Sequence, residues 1–395
     1  MQLKVAQAMG RLGTETAFEV LARAEALARE GRDIINLGIG QPDFKSPPHV
    51  VEAAVKALRD GHHGYTPAPG IAPLREAVAA DIALRRGVEV SPERVVVVPG
   101  GKVTMFFAIL MFGEPGAEIL YPNPGFPIYE SAIRFTGATP VPIPLLEERG
   151  FSFEAGAVLE RITPATRLLI LNSPANPTGG AAGKAELDAL VEGLAEHPQV
   201  AVLSDEIYAR MTYDGHEHCS LLSYPEIADR VILLDGWSKT YAMTGWRLGY
   251  GVWPEALLEG AVRLAVNSHS CVNAAAQHAG IAALTGPQYT VDTMVRAFDE
   301  RRRVIVAGLN AIPGFRCATP VGAFYAFPSI AATGLDARTL QGRLLEEAGV
   351  ATVAGTSFGA YGEGYLRFSY AASVESIRTA LERIGELAAS WAGGD

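Results

Sequence analysis

Four short apolar runs constrain this chain most, because none of them alternates with polar residues. They are Val95–Val98, 168–171, 200–203 and 231–234. A strand with one face in water alternates, so unbroken runs of this length imply strands covered on both faces, as in a parallel sheet. Patterns of helical period lie between them, for example Lys102–Phe112, which stops at Gly113-Glu114-Pro115-Gly116, and 184–195, which follows Gly183. Strand and helix in alternation predict an α/β fold with a mostly parallel sheet and helices on both faces. The two ends of the chain read differently. A helix over Thr16–Arg29, an extended 34–40 and a breaker-rich 41–48 come first; beyond Thr285 come a long helix near 291–309, strand-like 322–327, a helix over 340–347, strand-like 365–370 and a last helix from Ser373. The expectation is a large domain over 46–285 and a smaller α+β domain built from both chain ends, 1–45 and 286–395.

Ligands of open parallel sheets bind beyond the carboxyl ends of the strands, so the residues that follow the four runs are the first place to look for chemistry. After the first run, Pro99-Gly100-Gly101-Lys102 opens a helix whose free N–H groups suit a phosphate. The second leads to Asn172-Ser173-Pro174-Ala175-Asn176-Pro177-Thr178-Gly179, the third to Ser204-Asp205-Glu206-Ile207-Tyr208, and the fourth to Asp235-Gly236-Trp237-Ser238-Lys239. One crevice can therefore collect glycine amides, Asn, Asp, Tyr and Lys. Pyridoxal phosphate asks for this set: a lysine for the Schiff base, an acid beside the pyridine nitrogen, donors for the phenolic oxygen and a cradle for the phosphate. The acid keeps the ring nitrogen protonated, and a dry, electropositive pocket keeps the lysine amine free to react.

Three motifs extend the pattern: Asn176-Pro177-Thr178-Gly179; Ser204-Asp205-Glu206-Ile207-Tyr208; and Ser238-Lys239-Thr240-Tyr241-Ala242-Met243-Thr244-Gly245-Trp246-Arg247-Leu248-Gly249-Tyr250. In order and spacing, from Leu37-Gly38-Ile39-Gly40-Gln41-Pro42-Asp43-Phe44 to Leu366-Arg367-Phe368-Ser369, the chain resembles the class I/II aminotransferases of pyridoxal phosphate fold type I, of which aspartate aminotransferase is one. The resemblance implies that Lys239 carries the cofactor, Asp205 pairs with the pyridinium, and Tyr208 and Asn176 bond the phenolic oxygen. It implies a phosphate held by Arg247, eight residues past the lysine, with Ser238 and the backbone of Gly100, Gly101 and Lys102. Phe126 would stack on the ring; Arg367 would grip the substrate α-carboxylate as a fork, helped by Asn176 and the Gly40 backbone. Tyr65, in Gly64-Tyr65-Thr66-Pro67, would reach the phosphate of a neighbouring subunit, so that a homodimer shares its active sites. Two positions depart from the family pattern: Gly236 stands where many relatives carry a phosphate-binding Ser, and Trp237 where a smaller or single-ring residue is usual.

The resemblance implies transamination between an amino acid and a 2-oxo acid. A pyridoxal phosphate-dependent carbon–sulfur β-lyase uses the same scaffold, and a cofactor-binding regulator without turnover is the alternative from another class. Other signals fail. Gly355-Thr356-Ser357-Phe358-Gly359 fits a nucleophile elbow, but no helical pattern follows it and no histidine comes after it. Gly38-Ile39-Gly40 lacks the third glycine of a dinucleotide fingerprint. His62-His63 and His216-Glu217-His218-Cys219 lack zinc-site spacing, so the expectation is solvated loops and no metal. A net charge of −10 repels nucleic acid and anionic membrane surfaces. No apolar run approaches the ~20 residues of a membrane span, and the first residues hold no secretory pattern, so the chain reads as cytoplasmic. For the donor, the apolar helix after Lys102 and the Phe126 wall favour a neutral or aliphatic amino acid, with aspartate as runner-up if His62, His63 or Arg11 supplies charge from a partner subunit.

Overall fold

The computed structural model describes residues 3–392. Its strands are β1 (Ile35–Asn36), β2 (Val95–Val98), β3 (Glu118–Asn123), β4 (Thr139–Pro144), β5 (Thr166–Asn172), β6 (Ala201–Asp205), β7 (Val231–Gly236), β8 (Gly249–Val252), β9 (Tyr325–Ala326), β10 (Val350–Ala351), β11 (Val353–Ala354) and β12 (Leu366–Ser369). The main helices are α1 (Thr16–Arg29), α2 (Pro48–Arg59), α3 (Ala72–Arg86), α4 (Lys102–Phe112), α5 (Ile128–Thr136), α6 (Ala155–Leu159), α7 (Lys184–Leu194), α8 (Glu255–Ser268), α9 (Ala274–Thr285), α10 (Tyr289–Ala311), α11 (Ala337–Glu346) and α12 (Val374–Ala392).

Seven strands form one sheet in the order β2-β8-β7-β6-β5-β3-β4. The pairs among β3 to β7 are parallel, and β8 alone runs against both its neighbours. All four unbroken apolar runs are strands of this sheet, and each is covered on both faces. Val95, Val97, Leu169, Val202 and Leu233 enter one core, whereas Val96, Val98, Ile170, Leu203 and Leu234 enter another on the opposite side. The fold is the expected mostly parallel sheet flanked by helices, with a smaller α+β unit from the chain ends. One adjustment concerns β2, which lies beside the reversed β8 instead of a parallel strand.

The smaller unit has its own core, around Phe298, Phe324, Phe368, Tyr370 and Ile377. Its sheet runs β11-β12-β9, and β1 from the N-terminal part pairs in parallel with β10 from the C-terminal part. Two strands are shorter than their patterns imply: only Tyr325–Ala326 of 322–327, and only Ile35–Asn36 of 34–40, are laddered. The rest is extended chain that runs into the site. Among the described residues no helix is long and apolar enough to cross a membrane.

Candidate active site

Register decides which side chains meet. Asn172 at the end of β5 lies opposite Asp205 at the end of β6, and Asp205 opposite Leu234 in β7. Alternation then sends Leu203, Asp205 and Leu234 to one face of the sheet and Ser204 and Glu206 to the other. On the first face a cavity of about 490 Å³ opens, lined by Gly40, Gly101, Lys102, Phe126, Asn172, Asn176, Asp205, Tyr208, Ser238, Lys239, Arg247, Tyr325 and Arg367, among others. Of the residues that the resemblance assigns to cofactor or substrate, only Gly100 and Tyr65 do not line it. Gly100 sits directly behind the Arg247 guanidinium, and Tyr65 is 94% exposed.

Lys239 follows β7 and donates from Nζ to the Gly40 carbonyl at 2.6 Å. Burial, with Arg367, Arg247 and Lys102 nearby, brings its amine down to about 8. Asp205 is buried, and its Oδ2 accepts from the Tyr129 hydroxyl at 2.6 Å. Burial raises this carboxyl to about 6, with Asp235 and Glu206 adding to the rise and the bonds from Tyr129 and the Ile207 amide opposing it. Arg367, on β12, is buried and donates to the Asn176 side-chain oxygen at 2.9 Å and to the Gly38 carbonyl at 2.5 Å. Its Nε is buried with no hydrogen-bond partner among the described residues. A buried guanidinium donor without an acceptor is costly unless a ligand supplies one, and a carboxylate is the natural candidate.

The end of the cavity beside Arg247 is built largely from backbone. Gly100 has φ +93°, and a Cβ there would collide with the Arg247 guanidinium. Arg247 itself holds φ +54°, unusual for a side chain of its size, and its Nη1 donates to the Thr244 carbonyl at 2.7 Å. The start of α4 and the Arg247 guanidinium thus meet at Gly100, and Gly101, Lys102, Ser238 and Arg247 line the same cavity. Gly236, the departure from the family pattern, has a physical reason: it pairs with Gly249 across β7 and β8, and a Cβ would press on the Gly249 backbone. Trp237 is core, donating from Nε1 to the Gly280 carbonyl at 3.1 Å and packing edge-on to Tyr250.

Several residues of the site carry no sequence signal as strong as the motifs. Tyr129 stands one helical turn after Phe126, which could have marked it. Tyr325 bonds the Tyr208 hydroxyl at 2.8 Å. Glu15 reaches in from the N-terminal segment and pairs with Lys102 Nζ at 2.8 Å, 5.1 Å from the Phe126 ring centroid to that amine. Lys102 therefore presents a charged side chain, besides its backbone, to the cavity. Arg11 is otherwise engaged, donating to the Arg134 and Phe135 carbonyls at the end of α5. The His62 ring lies 4.2 Å from that of His278, tilted by 33°, and His218 is no loop residue in solvent: it pairs with the buried Glu206 at 2.9 Å.

A basic, desolvated amine, a buried carboxylate, an anion cradle and an unsatisfied guanidinium fit pyridoxal phosphate and an amino acid together, and on this fold they define a pyridoxal phosphate-dependent enzyme of fold type I. Comparison with known proteins narrows the class. Residues 32–384 match the family model for aminotransferase class I and II, and the chain belongs to that family. It is 38% identical to an aspartate aminotransferase of Geobacillus stearothermophilus over 97% of this chain and 98% of the relative. It is 37% identical to the aromatic-amino-acid aminotransferase 2 of Thermococcus litoralis, over 91% and 92% respectively. The crystal structure of the aspartate aminotransferase from Rhizobium meliloti superposes with a TM-score of 0.94 at 34% identity, covering 98% of this chain and 99% of that one. The chain is a pyridoxal phosphate-dependent aminotransferase, and neither a β-lyase nor a regulator without turnover is favoured.

Proposed function

We propose that this enzyme transfers the amino group of an acidic amino acid, with aspartate as the donor and 2-oxoglutarate as the acceptor, and that Lys102 selects it. The observation that carries the reading is the Lys102–Glu15 pair in the cavity wall. A distal carboxylate can take the place of Glu15 beside Lys102, so that the buried charge of the substrate is not left unpaired. Two of the three relatives named above are aspartate aminotransferases, and the third acts on aromatic amino acids by its name. A second reading, an aromatic or aliphatic donor, draws on Phe18, Met105 and Phe126, which line the same cavity and would face a neutral side chain while the Lys102–Glu15 pair stays intact. Single-turnover conversion over a panel of amino acids separates the two in wild type and Lys102→Met. On the first reading the variant loses at least tenfold in kcat/KM for aspartate, worth ~1.4 kcal/mol, and keeps its rate with alanine. Equal losses for both donors would refute a role in selection.

When bound, pyridoxal phosphate supplies an aldehyde that takes the amino group and a ring that accepts the electron pair left when the Cα–H bond breaks. Each residue then has one task. Lys239 would hold the cofactor, and its amine, once free, would carry the proton between the substrate Cα and the carbon that receives the amino group. Asp205, fixed by Tyr129, holds a proton on the ring nitrogen. Tyr208 and the amide nitrogen of Asn176 donate to the phenolic oxygen, since the Asn176 oxygen is already taken by Arg367. Arg367 orients the α-carboxylate, with the Gly40 backbone beside it. Arg247, Ser238, Gly100, Gly101 and the Lys102 amide bind the phosphate, and Phe126 covers the ring. We further propose a homodimer in which Tyr65 serves the partner's phosphate site, a division into residues 46–285 and the two ends 1–45 and 286–395, and a cytoplasmic location. Three free thiols, Cys219, Cys271 and Cys317, suit a reducing compartment.

A further inference from the structure

Tyr325 belongs to β9 of the smaller unit, is 1% exposed, and stands at the meeting point of the two halves of the site. Its hydroxyl lies 2.8 Å from that of Tyr208. The Arg367 guanidinium lies 4.7 Å from the centre of its ring. The chain at Gly40 packs so closely over it that a Cβ there would collide with the Tyr325 hydroxyl. The hydroxyl is thus enclosed between Tyr208 and the Gly40 backbone. We infer that Tyr325 is a positioning residue, whose hydroxyl donates to Tyr208 and thereby aims the single Tyr208 proton at the phenolic oxygen of the cofactor.

Proton count sets the direction of this bond, given the assignment of Tyr208 to that oxygen. Each phenol has one proton. If Tyr208 gave its proton to Tyr325, it would have none for the cofactor; if Tyr325 gives its own, Tyr208 is both oriented and made a stronger donor. The arginine over the Tyr325 ring favours the second direction, because a cation at the ring face draws charge from the hydroxyl. The other charged groups around the pair are Lys239 after β7, Asp205 at the end of β6 and Glu15 ahead of α1. Lys239 is bonded to Gly40, Asp205 to Tyr129 and Glu15 to Lys102. The same ring links the carboxylate grip of Arg367 to the phenolic end of the cofactor.

The test uses holoenzymes of wild type, Tyr325→Phe, Tyr208→Phe and the double variant, and follows the visible absorption of bound pyridoxal phosphate against pH. Tyr325→Phe keeps the ring under the Arg367 guanidinium and removes only the hydroxyl. Loss of a donor leaves the phenolic oxygen holding the neighbouring proton more firmly, so Tyr208→Phe should raise the midpoint. Tyr325→Phe should raise it in the same direction by roughly a tenth to a third as much, and should add nothing in the Tyr208→Phe background. An unchanged or lowered midpoint in Tyr325→Phe, or an additive shift in the double variant, would overturn the positioning role while leaving Tyr208 in place. An unchanged midpoint in Tyr208→Phe would instead overturn the assignment of Tyr208, and the inference with it.

Discussion

At Lys239 the decisive quantity is the fraction of free amine. An exposed lysine is half protonated only at about pH 10.4, whereas burial among Arg367, Arg247 and Lys102 brings this one down to about 8. The neutral amine is the nucleophile, so the rate at which cofactor-free protein takes up pyridoxal phosphate should climb with pH and level off just above 8. Stopped-flow absorbance on the wild type measures this, and a rate still rising steeply at pH 10 would contradict the environment described. Lys239→Ala should lose the covalent cofactor band and orders of magnitude in turnover. Arg367→Ala should raise KM for every amino and oxo acid alike, since all share the α-carboxylate; an effect on one substrate alone would move Arg367 to the side-chain pocket. Lys239 was legible in the sequence because it follows a buried strand, and Arg367 only through the motif Leu366-Arg367-Phe368-Ser369 that carries the family resemblance. Tyr325 and Glu15 were not, because a tyrosine in an apolar stretch and a glutamate before a helix look like core and surface until the chain is folded.

The elements that carry these residues are pinned from behind. Glu206, the residue after β6, and Asp235, within β7, face away from the cavity toward Arg86 at the end of α3, with contacts of 2.8 and 2.6 Å. Ser204, Ser220 and His218 complete the shell around Glu206. Arg86 and His218 hold the Glu206 carboxyl well below the usual carboxylate range despite its burial. With the folded value depressed, the stability it contributes is present above the ordinary glutamate range near 4.5 and is lost only as strong acid protonates the folded form. Glu206→Ala should therefore cost about 3–5 kcal/mol at neutral pH, since it leaves Arg86 buried without one partner. Denaturant unfolding of the cofactor-free protein measures it, and a loss below 1 kcal/mol would mean the cluster is solvated. Legibility at this scale followed composition. The unbroken valine and leucine runs read as strands, whereas β4, with Pro140, Pro142 and Pro144, and β8, with Gly249 and Gly251, did not. Proline is tolerated in β4 because it is the edge of the sheet, and glycine stands in β8 because a Cβ on Gly249 would collide with the Gly100–Gly101 backbone and one on Gly251 with the Thr104 and Trp253 side chains.

For the molecule as a whole, the cavity is closed by parts of the chain far apart in sequence. Glu15 meets Lys102 across the mouth, Gly38 and Gly40 meet Arg367 and Lys239, and Asp43 is held by Arg301 of α10 through two bonds of 2.7 and 3.0 Å. No periodicity announces such pairings, because they depend on how the smaller unit sits on the larger. Tyr65 has no place in this closure: almost fully exposed, it faces outward from a chain whose site is otherwise assembled. An aromatic side chain in a Gly-Tyr-Thr-Pro turn has a use there if a second copy presents its phosphate cradle to it. In that arrangement a site takes Lys239 from one subunit and Tyr65 from the other. Homodimers of Tyr65→Phe should then lose cofactor more readily, and homodimers of Lys239→Ala should be inactive. Subunits of the two variants, mixed by reversible dissociation, form heterodimers in which one site carries both changes and the other carries neither. With random pairing about a quarter of all sites are restored, and these should retain cofactor and turn over as wild type does. If Tyr65 served its own subunit, every site in the mixture would carry one change, and mixing would restore nothing.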